Sequence, residues 1–147
     1  MNPEDSNTEK IADVLLDRFD VVYMGYPETL ETEIKIVRKA GDKLVNFPDK
    51  LLMLGVLFVR LLRESKDVEK TPGVRASIGL YERAQSNAFL ASRDTVTSQD
   101  LKDAIISVVA HRIKLKPSVS YLTNELDFVK ENMEKFLKEN TEKGDYT

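Results

Sequence analysis

Thr71–Arg93, TPGVRASIGLYERAQSNAFLASR, is the stretch whose reading decides the fold. Ile78, Tyr81, Ala84, Ala88 and Ala91 recur at steps of three or four, the period of one buried helical face. Pro72 and Gly73 stop whatever precedes, because a proline disfavours helix in the residue before it. Arg75 then falls in the first turn of the new helix, where the positive end of the dipole favours an anion over a cation. A guanidinium there makes sense when it and the open backbone N–H groups face a phosphate together. The plainer reading is an exposed arginine tolerated at a small cost.

Outward from this helix the chain is helical in both directions. Phe47-Pro48-Asp49 opens a strongly apolar helix running through Ser65. Leu51, Leu52, Leu54, Val56, Leu57, Phe58, Val59, Leu61 and Leu62 cover most of its circumference, which predicts the central buried helix. Tyr26-Pro27 opens the helix before it, with Pro27 at its first position and Glu28, Glu31 and Glu33 near its positive end. That helix carries Leu30, Ile34 and Val37 to about Ala40, and Gly41 stops it. Asp20–Gly25, DVVYMG, reads as a short strand with nothing to pair with. Thr8–Phe19 places Ile11, Val14, Leu15 and Phe19 on one side of an amphipathic helix capped by Asn7 or Thr8.

Downstream, Thr97-x-x-Asp100 is similar to a capping box with Asp in place of Glu or Gln. Leu101, Ala104, Ile105, Val108, Val109 and Arg112 follow on one helix, and Pro117 ends it. Val119, Leu122, Leu126, Val129, Met133 and Phe136 are spaced 3, 4, 3, 4, 3, an a/d seam too short for a coiled coil. A helix docked on its own domain is the better reading, with Asn140–Thr147 as a polar, frayed end.

Composition removes several function classes. At 147 residues, 41% hydrophobic and 32% charged, the chain is one helix-rich domain or a small domain with a tail. A net charge of −3 argues against a nucleic-acid-binding surface. The absence of cysteine excludes thiol catalysis and cysteine-ligated zinc, and a single histidine disfavours a histidine metal site or triad. No metal ligand set is predicted. MNPEDSNTEK lacks the basic and apolar regions of a signal peptide, and the longest apolar run, Leu51–Val59, is too short to span a bilayer. A cytoplasmic protein with neither membrane nor nucleic-acid partner is expected.

Three separated motifs resemble the C-terminal part of an AAA+ ATPase of the MoxR and magnesium-chelatase I-subunit group. The first is Asn2-Pro3, then Val14-Leu15-Leu16-Asp17-Arg18-Phe19-Asp20, then Tyr26-Pro27. The second is Pro72-Gly73-Val74-Arg75-Ala76-Ser77. The third runs from Ala84 through Ser92-Arg93-Asp94-Thr95-Val96-Thr97 and Asp100-Leu101 to His111-Arg112-Ile113. No G-x-x-x-x-G-K-[ST] is present, and no apolar strand ends in paired acidic residues. The resemblance therefore implies a nucleotide-binding core upstream, to which the orphan strand belongs. Its fold expectation is mainly α: a small helical bundle, the AAA+ lid, with one short leftover strand of a truncated α/β core. Residues 1–26 would be the core remnant, 27–117 the lid, and 118–147 a C-terminal amphipathic helix and tail.

By the same resemblance Arg18 is an arginine finger reaching the neighbouring subunit's ATP, and Asp17 orients it. Asn2 helps position the attacking water. Arg75 is the second-sensor arginine, touching the γ-phosphate in its own subunit. ATP and Mg²⁺ belong to the intact parent, and this chain alone is expected to bind neither and to hydrolyse nothing. The implied partners are the upstream ATPase core, neighbouring subunits of a ring (hexameric in the family), and a von Willebrand factor A-type protein. The implied work is remodelling or chelatase-type assembly.

Plainer readings stand beside these. Asp17 and Arg18 form an ordinary surface pair, worth under about 1 kcal/mol. His111, Arg112, Lys114 and Lys116 suit a solvated helix C-terminus. Glu125, Asp127, Glu131 and Glu134 read as a solvated face, and Tyr23, Tyr26 and Tyr81 as packing. A different class remains open: a stand-alone helical interaction module that recognises a partner through the 119–136 seam and has no use for Arg18.

Overall fold

The computed structural model describes residues 18–20 and 22–141. In chain order they form α1 (Leu30–Ala40), α2 (Asp49–Glu64), β1 (Val68–Lys70), α3 (Val74–Leu90) and α4 (Ser98–Val109). A 3-10 turn (Ala110–Arg112), β2 (Lys114–Leu115), α5 (Pro117–Ser120) and α6 (Glu125–Thr141) follow. The expected helical bundle is what the chain builds. Its sheet is a tiny antiparallel pair in which Val68 faces Leu115 and Lys70 faces Lys114.

Local chemistry sets most helix ends. Thr29 caps α1 by accepting from the Thr32 N–H at 3.2 Å, with Glu31 and Glu33 in the first turn and Arg38 and Lys39 in the last. This helix begins at Leu30, later than the predicted Pro27. Arg60 on α2 donates to the Pro27 and Glu28 carbonyls, each at 2.9 Å, and so holds them out of the helical ladder. Thr97 and Asp100 complete the capping box of α4, the Thr97 N–H donating to Asp100 Oδ2 at 2.8 Å. Arg93 closes on the same carboxylate with both Nη atoms, at 2.5 and 2.7 Å.

The 71–93 stretch is helical only over α3. Gly73 opens it after Pro72, and Ser92 closes it with a left-handed φ of 56°. The Ser92 N–H reaches the Phe89 carbonyl and the Arg93 N–H the Ala88 carbonyl, both at 2.9 Å, which is the Schellman arrangement. Ala91, expected on the buried face, is exposed for this reason, and Ile78 is half-buried. Serine in a left-handed position is disfavoured relative to glycine by about 1 kcal/mol. Ser92→Gly is therefore expected to raise the urea midpoint, by about 0.5–1 kcal/mol of stability. A lowered midpoint would show that the serine side chain contributes something glycine lacks.

The core sits around α2, whose Leu52, Val56, Phe58, Val59 and Leu62 are fully buried, while Leu61 lies at the edge. Ala76, Leu80, Ala84 and Ala88 of α3 pack with Leu101, Ala104, Ile105 and Val109 of α4 in the same cluster. Small residues allow the close approach: a Cβ on Gly55 of α2 would lie 2.8 Å from a Leu80 methyl carbon. Tyr81 stacks on Phe47, with ring centroids 5.2 Å apart.

Further expectations fail. The strand predicted at Asp20–Gly25 is not formed among the described residues 20 and 22–25, where the backbone has no ladder partner. Val22, Tyr23 and Met24 are exposed there, so Tyr23 is not a packing residue in this chain. The 119–136 seam is not one helix either. Val119 lies in the short α5, and Asn124 starts α6 afresh by accepting from the Asp127 N–H at 2.9 Å. Leu122 is left 82% exposed, whereas Val129, Met133 and Phe136 are buried and Phe136 meets the Phe58 ring at 5.6 Å. Most of the seam serves the chain's own core, which removes the continuous surface that a partner would have read. The predicted helix over Thr8–Phe19 lies mainly outside the described residues.

Candidate functional site

A helix that begins at glycine has no side-chain oxygen to satisfy its first N–H groups. Gly73 is in that position: α3 has no side-chain cap, and a Cβ added to Gly73 would meet nothing within 4 Å. The start of α3 thus opens onto a groove of about 480 Å³. Arg75 lies in that first turn and is exposed. Lys70 at the end of β1, and His111 and Arg112 after α4, line the same groove, as do Tyr26 and Thr71. Among the described residues no carboxylate lines it. The groove therefore presents three fixed cations and a helix N-terminus to whatever enters, a setting that favours a phosphate over any neutral group.

The pairing of β1 with β2 brings Lys70 near the turn that carries His111 and Arg112. Arg112 Nη1 donates to the Val108 carbonyl at 2.7 Å and lies 2.8 Å from His111 Nε2. A guanidinium can only donate, so His111 Nε2 is the acceptor in that contact. Among the described residues no group of histidine and acidic side chains could hold a metal ion. The positive charge of the groove suits an anion such as a phosphate.

Beneath the groove lies a buried ion cluster that the sequence reading did not single out. Glu33 of α1 is fully buried and accepts from Arg63 Nη1 at 2.7 Å, Arg63 Nη2 at 2.6 Å, Ser77 Oγ at 2.6 Å and Arg60 Nη1 at 3.2 Å. Burial pushes its carboxyl up, but hydrogen bonds from Arg63, Ser77 and Arg60 and the Arg63 charge outweigh this and leave it below the ordinary carboxylate range. Arg63 also donates Nε to the Pro72 carbonyl at 2.7 Å and stands 4.7 Å from the centroid of the Tyr26 ring. Tyr26 is hydrogen-bonded through its hydroxyl to Thr71 at 3.0 Å, so its role is more than packing. A signal for Glu33 was present, since it falls with Leu30, Ile34 and Val37 on one face of α1. A charge on the apolar side of a helix calls for a buried partner.

Of the predicted site residues that are described, Arg75 lies in the groove and Arg18, exposed in a turn, does not. Asn2 and Asp17 lie outside the described residues. Asp127, Glu131 and Glu134 face solvent as expected, and Glu125 accepts from the Leu115 N–H at 3.4 Å. Among the described residues no helix is long and apolar enough to cross a membrane.

Comparison with known proteins gives two matches. Residues 70–129 match the family described as AAA lid domain. Over 125 residues the chain is 33% identical to the gas vesicle ATPase GvpN1 of Halobacterium salinarum, an alignment covering 83% of this chain and 32% of that protein. The chain spans about a third of the length of this curated relative. No solved structure matches.

Proposed function

We propose that the chain is the lid portion of an AAA+ ATPase, as its match to the AAA lid domain family and its likeness to a gas vesicle ATPase support, and that its Arg75 groove reads the phosphates of ATP bound to a core carried elsewhere in the same protein. The supporting observation is Arg75 itself. A cation in the first turn of α3 opposes the helix dipole, and a shared anion converts that opposition into attraction. Lys70 and Arg112 add charge of the same sign from two other elements. In this reading Arg75 touches the terminal phosphate in cis and ties the attitude of the bundle to the nucleotide.

Arg18 is proposed as the finger that acts in trans on a neighbouring subunit of a ring, with Asp17 orienting it and Asn2 placing the attacking water. Mg²⁺ is held by the core and not by this chain. The energy of hydrolysis remodels a protein partner in the cytoplasm. Since the relative is a gas vesicle ATPase, gas vesicle assembly is the setting we favour over a metal chelatase with a von Willebrand factor A-type protein.

The test is Arg75→Ala in the intact ATPase. The expected result is a fall in kcat of about tenfold to a hundredfold, the loss of one charge-assisted phosphate contact worth about 1.5–3 kcal/mol. Steady-state ATP hydrolysis measures it. Unaltered kcat and KM would remove the phosphate role and leave the exposed arginine of the plainer reading.

A further inference from the structure

We propose that Glu33 is a positioning residue for Arg75, a buried carboxylate that fastens the segment leading into the bundle to the segment that carries the arginine. The inference rests on the phosphate-contact reading of Arg75. Two stretches distant in sequence meet at this carboxylate. One is Tyr26–Glu28, which enters the bundle; the other is Thr71–Ser77, which opens α3.

Every partner of Glu33 also holds one of these stretches. Arg60 binds Glu33 at 3.2 Å and the Pro27 and Glu28 carbonyls at 2.9 Å. Arg63 binds Glu33 with both Nη atoms, the Pro72 carbonyl with Nε, and the face of Tyr26. Ser77 binds it directly from the first turns of α3, two positions beyond Arg75. Tyr26 and Thr71 close the circuit through their hydroxyls at 3.0 Å. A guanidinium held at several donors has a fixed plane, so displacement of one stretch is passed to the other rather than absorbed. Apolar residues of equal volume would fill this space at least as stably. What they would not supply is this directional tie between the leading segment and the arginine. Tilting of the upstream body would thereby move Arg75 relative to the nucleotide.

The experiment uses the intact ATPase carrying Glu33→Gln, Arg75→Ala, or both, with kcat and KM measured for each. Glutamine keeps the volume and an acceptor but removes the charge that orients Arg60 and Arg63. Glu33→Gln is expected to lower kcat about tenfold or more, since ångström misplacement of a catalytic contact can cost 10²-fold. KM for ATP should change less. The double variant should be no slower than Arg75→Ala alone, because a residue that acts only through Arg75 has nothing left to position. Multiplied defects in the double variant, or an unaltered kcat in Glu33→Gln, would overturn the inference. Should Arg75→Ala itself leave hydrolysis intact, the phosphate reading falls first and takes this inference with it, a separate and recognisable outcome. If Glu33→Gln fails to fold, Tyr26→Phe decides in its place. It keeps the ring beneath Arg63 and deletes only the hydroxyl bond to Thr71, and its smaller kcat defect must likewise vanish on the Arg75→Ala background.

Discussion

On the finger role proposed for it, Arg18→Ala in the intact protein is expected to lower the kcat of ATP hydrolysis by about 10³–10⁵, roughly 4–7 kcal/mol of barrier, with little change in ATP affinity. A finger of this kind meets charge that develops on the transferring phosphoryl group, so its loss falls on the transition state and not on the ground state. Arg18 is exposed in a turn outside the groove that holds Arg75. That separation allows a sharper test than the single variant. Subunits carrying Arg18→Ala keep Arg75, and subunits carrying Arg75→Ala keep the finger. If one arginine acts in trans and the other in cis, mixing the two defective proteins creates complete sites, and activity returns. Mixtures as inactive as their components would place both residues in one subunit's site or in none. The ordinary Asp17–Arg18 surface pair predicts a third pattern, with activity near normal throughout and stability altered by less than about 1 kcal/mol.

The largest stability effect is expected at Glu33. Removing one partner of a buried, hydrogen-bonded ion cluster typically costs about 3–5 kcal/mol, because the remaining charges stay buried without compensation. Small domains have only about 5–15 kcal/mol in total. Glu33→Ala should therefore leave the chain marginally folded, with a large drop in urea midpoint. Exchanging Glu33 and Arg63 together for apolar residues should recover part of the loss, since the unpaired guanidinium is then gone as well. A pair exchange no better than the single variant would show that the cost lies in the Pro72 and Tyr26 contacts instead.

The same cluster sets a pH dependence. Glu33 is held below its ordinary value as already described. Asp100 is held well below its own, chiefly by the hydrogen bond from Arg93 against an opposing push from burial, with Thr97 adding to the lowering. Ordinary values are 4.5 and 3.8. A depressed carboxylate binds fewer protons folded than unfolded, so its stabilisation is complete above the ordinary value and is lost as pH falls through the folded one. The urea midpoint should hold steady from neutrality to about pH 5 and decline below it. A midpoint that rises on acidification would contradict both assignments.

The sequence by itself determined the helical class, the central place of α2, the stop at Pro72-Gly73 and the capping box at Thr97–Asp100. It also placed Arg75 in a first turn. All of these rest on interactions within a few residues, which periodicity, caps and breakers record directly. Only the tertiary structure decided that Lys70, Arg75, His111 and Arg112 share one groove, because β1 and β2 pair across more than forty residues of chain. The same holds for the carboxylate of Glu33, whose partners on α2 and α3 lie 27 to 44 positions away. It holds too for the break in the 119–136 seam, where Val129, Met133 and Phe136 are buried in the chain's own core while Leu122 and Leu126 stay exposed. A period tells which side of a helix is apolar. Which neighbour covers that side, and which charge is left to be paired inside, depends on contacts that no local pattern encodes.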